Sequence, residues 1–150
     1  MYRHARVACV SAGLLVAVPS HAQFLSMCSG LEEAANWPPE LDAVTAAPKN
    51  HRVLFESDSM RILEVTVLPN ERENLHHHRW PSVMIVDARP KYVNYDKDGN
   101  EIKPSVPPQE RPDLPIVARL GPQPAHAVHN IDGISFHAIR IEYKKGCPTQ

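Results

Sequence analysis

The stretch NLHHHRWPSVM, residues 74–84, decides how the rest of the chain is read. It sets His76, His77 and His78 in a row well inside the sequence and runs at once into the apolar stretch SVMIVDA. Adjacent imidazoles make poor core filler, because each buried ring nitrogen needs a partner. The run is therefore either a solvated basic patch or part of a metal site. On a strand, side chains alternate between faces, so His76 and His78 share one face and His77 takes the other. Such a pair can share one ion, and neutral imidazole accepts Fe, Zn, Mn, Ni or Cu.

A second cluster stands in GPQPAHAVHN, residues 121–130, with His126, His129 and Asn130. Between and around the two clusters the chain reads as strands. RVLFES is one run, and MRILEVTVL is a second with Leu63, Val65 and Val67 on one face. PNEREN is a polar turn, SVMIVDA a fully apolar strand, and KYVNY a strand closed by the hairpin signal Asp98-Gly99. Residues 103–115 hold five of the fifteen prolines and read as an extended connection rather than a central strand. IVARL is a short strand, GPQPAHAVHN a loop entering another, and GISFHAIRIEYK a long last strand. Many short strands with turns between them argue for an antiparallel sandwich or barrel.

Before these strands, residues 23–50 read as an arm. SGLEEAANW offers Ser29 as an N-cap with Glu32 three residues on, Pro38-Pro39 stops that short helix, and TAAPKN reads as loop. Residues 1–22 have the pattern of a signal peptide: Arg3 and Arg6, then the apolar VACVSAGLLVAV, then small residues at Ser20 and Ala22, with cleavage before Gln23. The expectation is a periplasmic or secreted protein with no membrane contact once the leader is removed. The leader carries two arginines and no acid, so a formal charge of −1 becomes −3. No basic block invites a nucleic acid. Cys28 and Cys147 remain, one near each end, and an oxidising compartment favours a disulfide between arm and tail.

The turn PNERENLHHH and the later GPQPAHAVHN resemble the two sequence motifs of the cupin superfamily, over roughly residues 51–145. In the first motif, Asn70 stands in the place of a glycine, and His76 and His78 in the places of the paired histidines. The motif's glutamate falls on Ser82 or Val83 and is missing. In the second motif His126 and Asn130 match. HHHRWPSVM and HAVHNID also resemble a group of small exported cupin-like proteins of unassigned function. The resemblance implies an all-β, jelly-roll barrel behind a short helical arm, with residues 146–150 as a tail. It implies a divalent transition metal held by His76, His78 and His126 in the barrel mouth, and a small-molecule ligand, with a homodimer as the other partner to expect. Two functions follow: a metalloenzyme of the dioxygenase or isomerase type, or a non-enzymatic module that holds a small ligand or the metal.

The neighbours have plainer readings. His77 and Arg79 are expected to be solvated or paired with acids, Trp80 to pack at the barrel end, and His129 to be exposed. His137 shares a face with Ile139, Ile141 and Tyr143 and reads as a hydrogen-bonded core residue or a fourth ligand. Glu64 and Arg140 read as a cross-strand pair or as pocket lining.

Overall fold

The computed structural model describes residues 27–103 and 113–147. The leader, its cleavage point, most of the proline-rich connection and the last three residues lie outside them. The arm holds helix α1 (Leu31–Ala34), a 3₁₀ turn (Pro39–Leu41) and helix α2 (Ala43–Ala46). The N-cap of α1 is Gly30, at φ 80, and no side chain caps it. The cap falls instead on α2, part of the supposed loop, where the Asp42 side chain accepts from the Val44 N–H.

Eight strands follow: β1 (His51–Glu56), β2 (Met60–Val67), β3 (His76–His78), β4 (Ser82–Ala88), β5 (Tyr92–Asp96), β6 (Ile116–Leu120), β7 (Gln123–Asn130) and β8 (Phe136–Tyr143). They form two antiparallel sheets, ordered β1-β2-β8-β4-β6 and β3-β7-β5. From β2 onward every connection crosses from one sheet to the other, which is the winding of a jelly roll. The polar turn before β3 works as read: Asn70 sits at φ 62, a left-handed conformation that asparagine tolerates, in the place where the motif has glycine.

Register decides which side chains face inward. β2 alternates buried and half-buried residues, with Arg61, Leu63, Val65 and Val67 inside. Opposite them on β8 stand Glu142, Arg140, Ala138 and Phe136. The inner face of β8 is thus partly charged, and His137, Ile139 and Ile141 lie on its outer face. His137 is not a core residue: it pairs with Asp87 and Glu64 on the half-exposed surface. Glu64 pairs with Arg52 at 2.7 Å on that outer side, so Glu64 and Arg140 are not partners. Leu63, Val65, Val86 and Ala138 make the apolar centre.

The segment GPQPAHAVHN is strand from Gln123 onward, not a loop. β3 advances two residues, from His76 to His78, while β7 advances three, from Gln123 to His126. The extra residue is a bulge at Pro124-Ala125, the kind of place where a strand accepts proline.

The outer face of β3 is covered by the arm. His77 is buried, its Nε2–H donating to Pro38 O at 2.7 Å, and Arg79 donates to Trp37 O at 3.1 Å. His77 is neither solvated nor paired with an acid, because the arm lies over it, and Arg79 is half-buried against the same arm. Cys28 and Cys147 are bonded, with 5.7 Å between their Cα atoms and 119 residues between them in sequence. Closing a loop of that length is worth about 4–5 kcal/mol in chain entropy. Among the described residues no helix is long and apolar enough to cross a membrane.

Reduction of the Cys28–Cys147 bond should therefore lower the free energy of unfolding by a few kcal/mol (about 2–5) and speed amide exchange in residues 31–46 before the sheets. Denaturant titration and hydrogen exchange with and without reductant check this. Unchanged stability would count against the arm being held by this bond.

Candidate metal centre

Four histidines meet between the sheets. His76 and His78 come from β3, with His77 turned away as strand alternation requires. The third, His126, lies directly across from His76 in the β3–β7 pair. The fourth is His51, the first residue of β1, which faces inward because it pairs with the inward Val65. His51, His76 and His78 each offer one ring nitrogen, and these nitrogens lie within 4.8 Å of one another. The ring of His126 is 4.6 Å from His76 and 5.9 Å from His78, centre to centre.

No sequence motif marked His51. It opens a strand whose next five residues are all exposed, so its own run gives no amphipathic signal. Only the β1–β2 register brings it inside. A lone histidine at a strand head, preceding an apolar strand, was the only trace available.

Each imidazole already has one nitrogen committed. Nδ1–H of His76 donates to Asn74 O at 2.8 Å, that of His126 to Pro124 O at 2.8 Å, and that of His51 to Ala47 O at 3.2 Å. For His78 the acceptor is the Glu142 carboxylate at 2.7 Å. Such bonds fix the tautomer that leaves Nε2 as a lone-pair donor, the arrangement found behind metal-bound histidine. Burial pushes the imidazoles of His51 and His126 down to about 4 and that of His76 down to about 2, and it holds His78 well below its ordinary 6.5. The four rings are neutral at neutral pH, which is the ligand form. The donor set fits a divalent transition metal.

Glu142 belongs to a buried chain of charge. Its Oε1 accepts from His78, and its Oε2 accepts from Arg61 Nε at 2.7 Å. The other edge of Arg61 holds Asp42 of the arm, at 2.8 and 3.3 Å. Ser82, the place where the first motif has its glutamate, pairs directly with Glu142 across β4 and β8. A carboxylate at position 82 would face a second one, an unfavourable like-charge pair. The fold thus has an acid here, but it stands behind His78 and not among the ring nitrogens.

In front of the histidines lies a cavity of ≈ 380 Å³. Its walls are mostly apolar, with Val65, Met84, Val86, Ile116 and Phe136, and its polar lining besides the histidines comprises Glu73, Arg89, Tyr92, Asn94, Gln123 and Arg140. Glu73 is buried; desolvation pushes its carboxyl up to about 8, and its Oε1 has no hydrogen-bond partner. That oxygen is 3.9 Å from His51 Nε2. Asn130, the second residue of the later motif, does not line the cavity. It is fully buried and fastens the β7–β8 turn by donating to Val67 O and Ile134 O.

No protein-family model and no curated protein matches the sequence. Solved structures of similar fold do exist. A cupin domain from Bordetella pertussis is 14% identical, the match covering 63% of this chain and 91% of that one with a TM-score of 0.49. An RmlC-like cupin family protein with a double-stranded β-helix fold, from Methanocaldococcus jannaschii, is 9% identical over 62% of this chain and 77% of its own, at 0.44. The polyketide cyclase RemF from Streptomyces resistomycificus is 16% identical over 71% and 75%, at 0.44. The jelly-roll assignment rests on the strand order described above.

The neutral, buried imidazoles set the acid stability of the metal-free protein. In the unfolded chain they take up protons near pH 6.5, while in the fold they resist until about pH 4 or below. The unfolded state therefore binds more protons in that window, and stability falls as pH drops through it, by up to about 1.4 kcal/mol per pH unit for each ring. Glu73 acts the opposite way: folded, it keeps its proton to about 8, so its contribution is lost as pH rises from 4.5. Four rings outweigh one carboxyl below pH 6.5. Denaturant titrations from pH 7 to pH 4 should show a steep loss of stability; a flat profile would contradict the buried neutral cluster. In the same assay Arg61→Ala, which takes the ion-pair partner from Asp42 and from the Oε2 of Glu142, should cost about 3–5 kcal/mol.

Proposed function

We propose that this cupin-like jelly roll is an exported metalloprotein that acts on a small molecule, with a divalent transition metal held by His51, His76 and His78 and with His126 beside them. The observation that carries the reading is the commitment of all four Nδ1 atoms to protein acceptors, which turns four Nε2 lone pairs loose at the head of one cavity. A surface patch of histidines has no reason to be buried, neutral and pinned in one tautomer.

The ion would supply a Lewis acid and a redox or hydrolytic centre of the oxygenase or isomerase kind. The chain's own residues do the rest. Glu142 holds the ring of His78 against rotation, and Arg61 holds Glu142. The apolar walls exclude water and enclose the body of a substrate. Glu73 stands at the cavity wall, 3.9 Å from His51 Nε2, as the carboxyl available to exchange a proton with a bound molecule. Export agrees with the Cys28–Cys147 bond, since such bonds persist in oxidising compartments.

One observation favours the second reading, a module that holds metal or ligand without turnover. His126 is a fourth imidazole, and a shell closed by four rings leaves less room for a substrate. Cobalt(II)-loaded protein separates the two. An azide-dependent change in its visible spectrum means an open position and supports the enzyme; an unresponsive spectrum means a closed shell and supports the module.

Metal analysis of the purified, untagged protein tests both. His51→Ala, His76→Ala and His78→Ala should each strip the metal, with affinity falling about 100-fold or more. His77→Ala should keep it while losing stability, since that ring serves the arm. Equal loss in all four variants would show a loose chelating patch and sink the proposal.

A further inference from the structure

Two guanidiniums line the cavity and are used by neither the metal reading nor the pairing of the sheets: Arg89, half-buried and 5.5 Å over the Tyr92 ring, and Arg140, which is fully enclosed. Arg140 is 2% exposed and lines the cavity together with the four histidines. Its Nη1 donates to Gln123 Oε1, its Nε stands 3.5 Å from Glu142 Oε1, and its Nε and Nη2 have no hydrogen-bond partner. A buried guanidinium edge with two N–H-bearing nitrogens left without a hydrogen bond is costly, and in native proteins such an orphan usually marks a missing partner. The two acids nearby do not supply it. Glu142 forms an ion pair with Arg140 Nε at 3.5 Å but no hydrogen bond there, its oxygens being shared between Arg61 and His78, and Glu73 forms no ion pair with Arg140.

We propose that the cavity takes a small organic acid, its carboxylate seated against Arg140 and its apolar body against Val65, Met84, Val86, Ile116 and Phe136. This rests on the reading above, because it names the class of molecule that the same cavity would present to the metal. Three features single out a carboxylate. The guanidinium is a planar fork that matches a carboxylate's two oxygens. The walls are apolar, so they reward a carbon body and give a fully hydrated inorganic anion nothing. The charge balance also needs an anion. Arg61 and Arg140 are offset by Asp42 and Glu142, and Arg89 at the cavity wall has no acid paired with it among the described residues, so the cavity carries a net positive charge before any ion enters, with only Glu73 to answer it.

Gln123 is the specificity handle. It pairs across from His78, and its position on the inner face depends on the bulge at Pro124-Ala125. Replacing its amide with a carboxylate would seat an internal anion against the same guanidinium.

Benzoate, its neutral isostere benzamide and inorganic phosphate serve as probes, each titrated by ligand-observed NMR into metal-free and zinc-loaded protein. Benzoate should bind about 10- to 100-fold more tightly than benzamide, the range of one or two charge-assisted hydrogen bonds, and phosphate should bind weakly. Arg140→Met should erase the preference, and Gln123→Glu should reduce it by at least about tenfold. Should Arg140→Met fail to fold, the half-buried Gln123→Glu decides alone. Preference retained in metal-free protein and lost in Gln123→Glu upholds the inference, even if zinc proves not to bind and the metal reading falls. Equal binding of benzoate and benzamide, no saturable binding of benzoate, or phosphate binding as well as benzoate overturns it. So does a preference seen only with zinc and indifferent to Gln123→Glu, which would place the carboxylate on the metal instead.

Discussion

The carboxylate of Glu142 is the constraint on which the rest of the molecule turns. It is fully buried, and it can be so only because Arg61 on β2 and His78 on β3 each satisfy one of its oxygens at 2.7 Å. Arg61 in turn is buried only because Asp42 of the arm closes its other edge. An uncompensated charge at any link would cost several kcal/mol. The chain therefore ties three things that could otherwise vary separately: where the arm docks, how the two sheets meet, and which way the His78 ring points.

That network divides the interior into two kinds of polarity. Toward the arm the charges are formal and paired. Toward the cavity the rings are uncharged, because desolvation there exceeds what any nearby acid returns. The same β8 strand carries both, with Glu142 on the paired side and Arg140 on the cavity side. β8 therefore gives the apolar centre only Ala138 and the flanking Phe136 from its inner face, and the fully buried part of that centre is small: Leu63, Val65, Val86 and Ala138.

The sequence made the strands visible wherever alternation was clean. β2 is the best case: its predicted inner residues Leu63, Val65 and Val67 are the buried ones. The H-x-H pair was equally legible, since a period of two assigns faces without knowledge of the partner strand. What could not be read was anything set by pairing. His51 faces inward through its register with Val65, which no local pattern encodes. Gln123 and His126 share a face only because of an intervening bulge, which breaks the parity that alternation assumes. The inner face of β8 is misassigned because Ile139 and Ile141 look like core, while Glu142 is an inner residue through partners 64 and 81 positions away and Arg140 shares its face. His77 was misread for a related reason: the arm that covers it is remote in sequence and carries no strand signal.

The neutrality of the rings has a calorimetric consequence. A metal arriving at an exposed histidine cluster near neutral pH displaces protons, and the heat observed then includes the ionisation of whatever buffer receives them. Here folding has already stripped the ligands, so loading draws no protons from them. Among the side chains at this site the displaceable proton belongs to the carboxyl of Glu73. Binding enthalpies taken in buffers of different ionisation heat would then vary through Glu73 and any water the ion binds, not through the imidazoles. That variation would report how far these groups, rather than any histidine, respond to the ion.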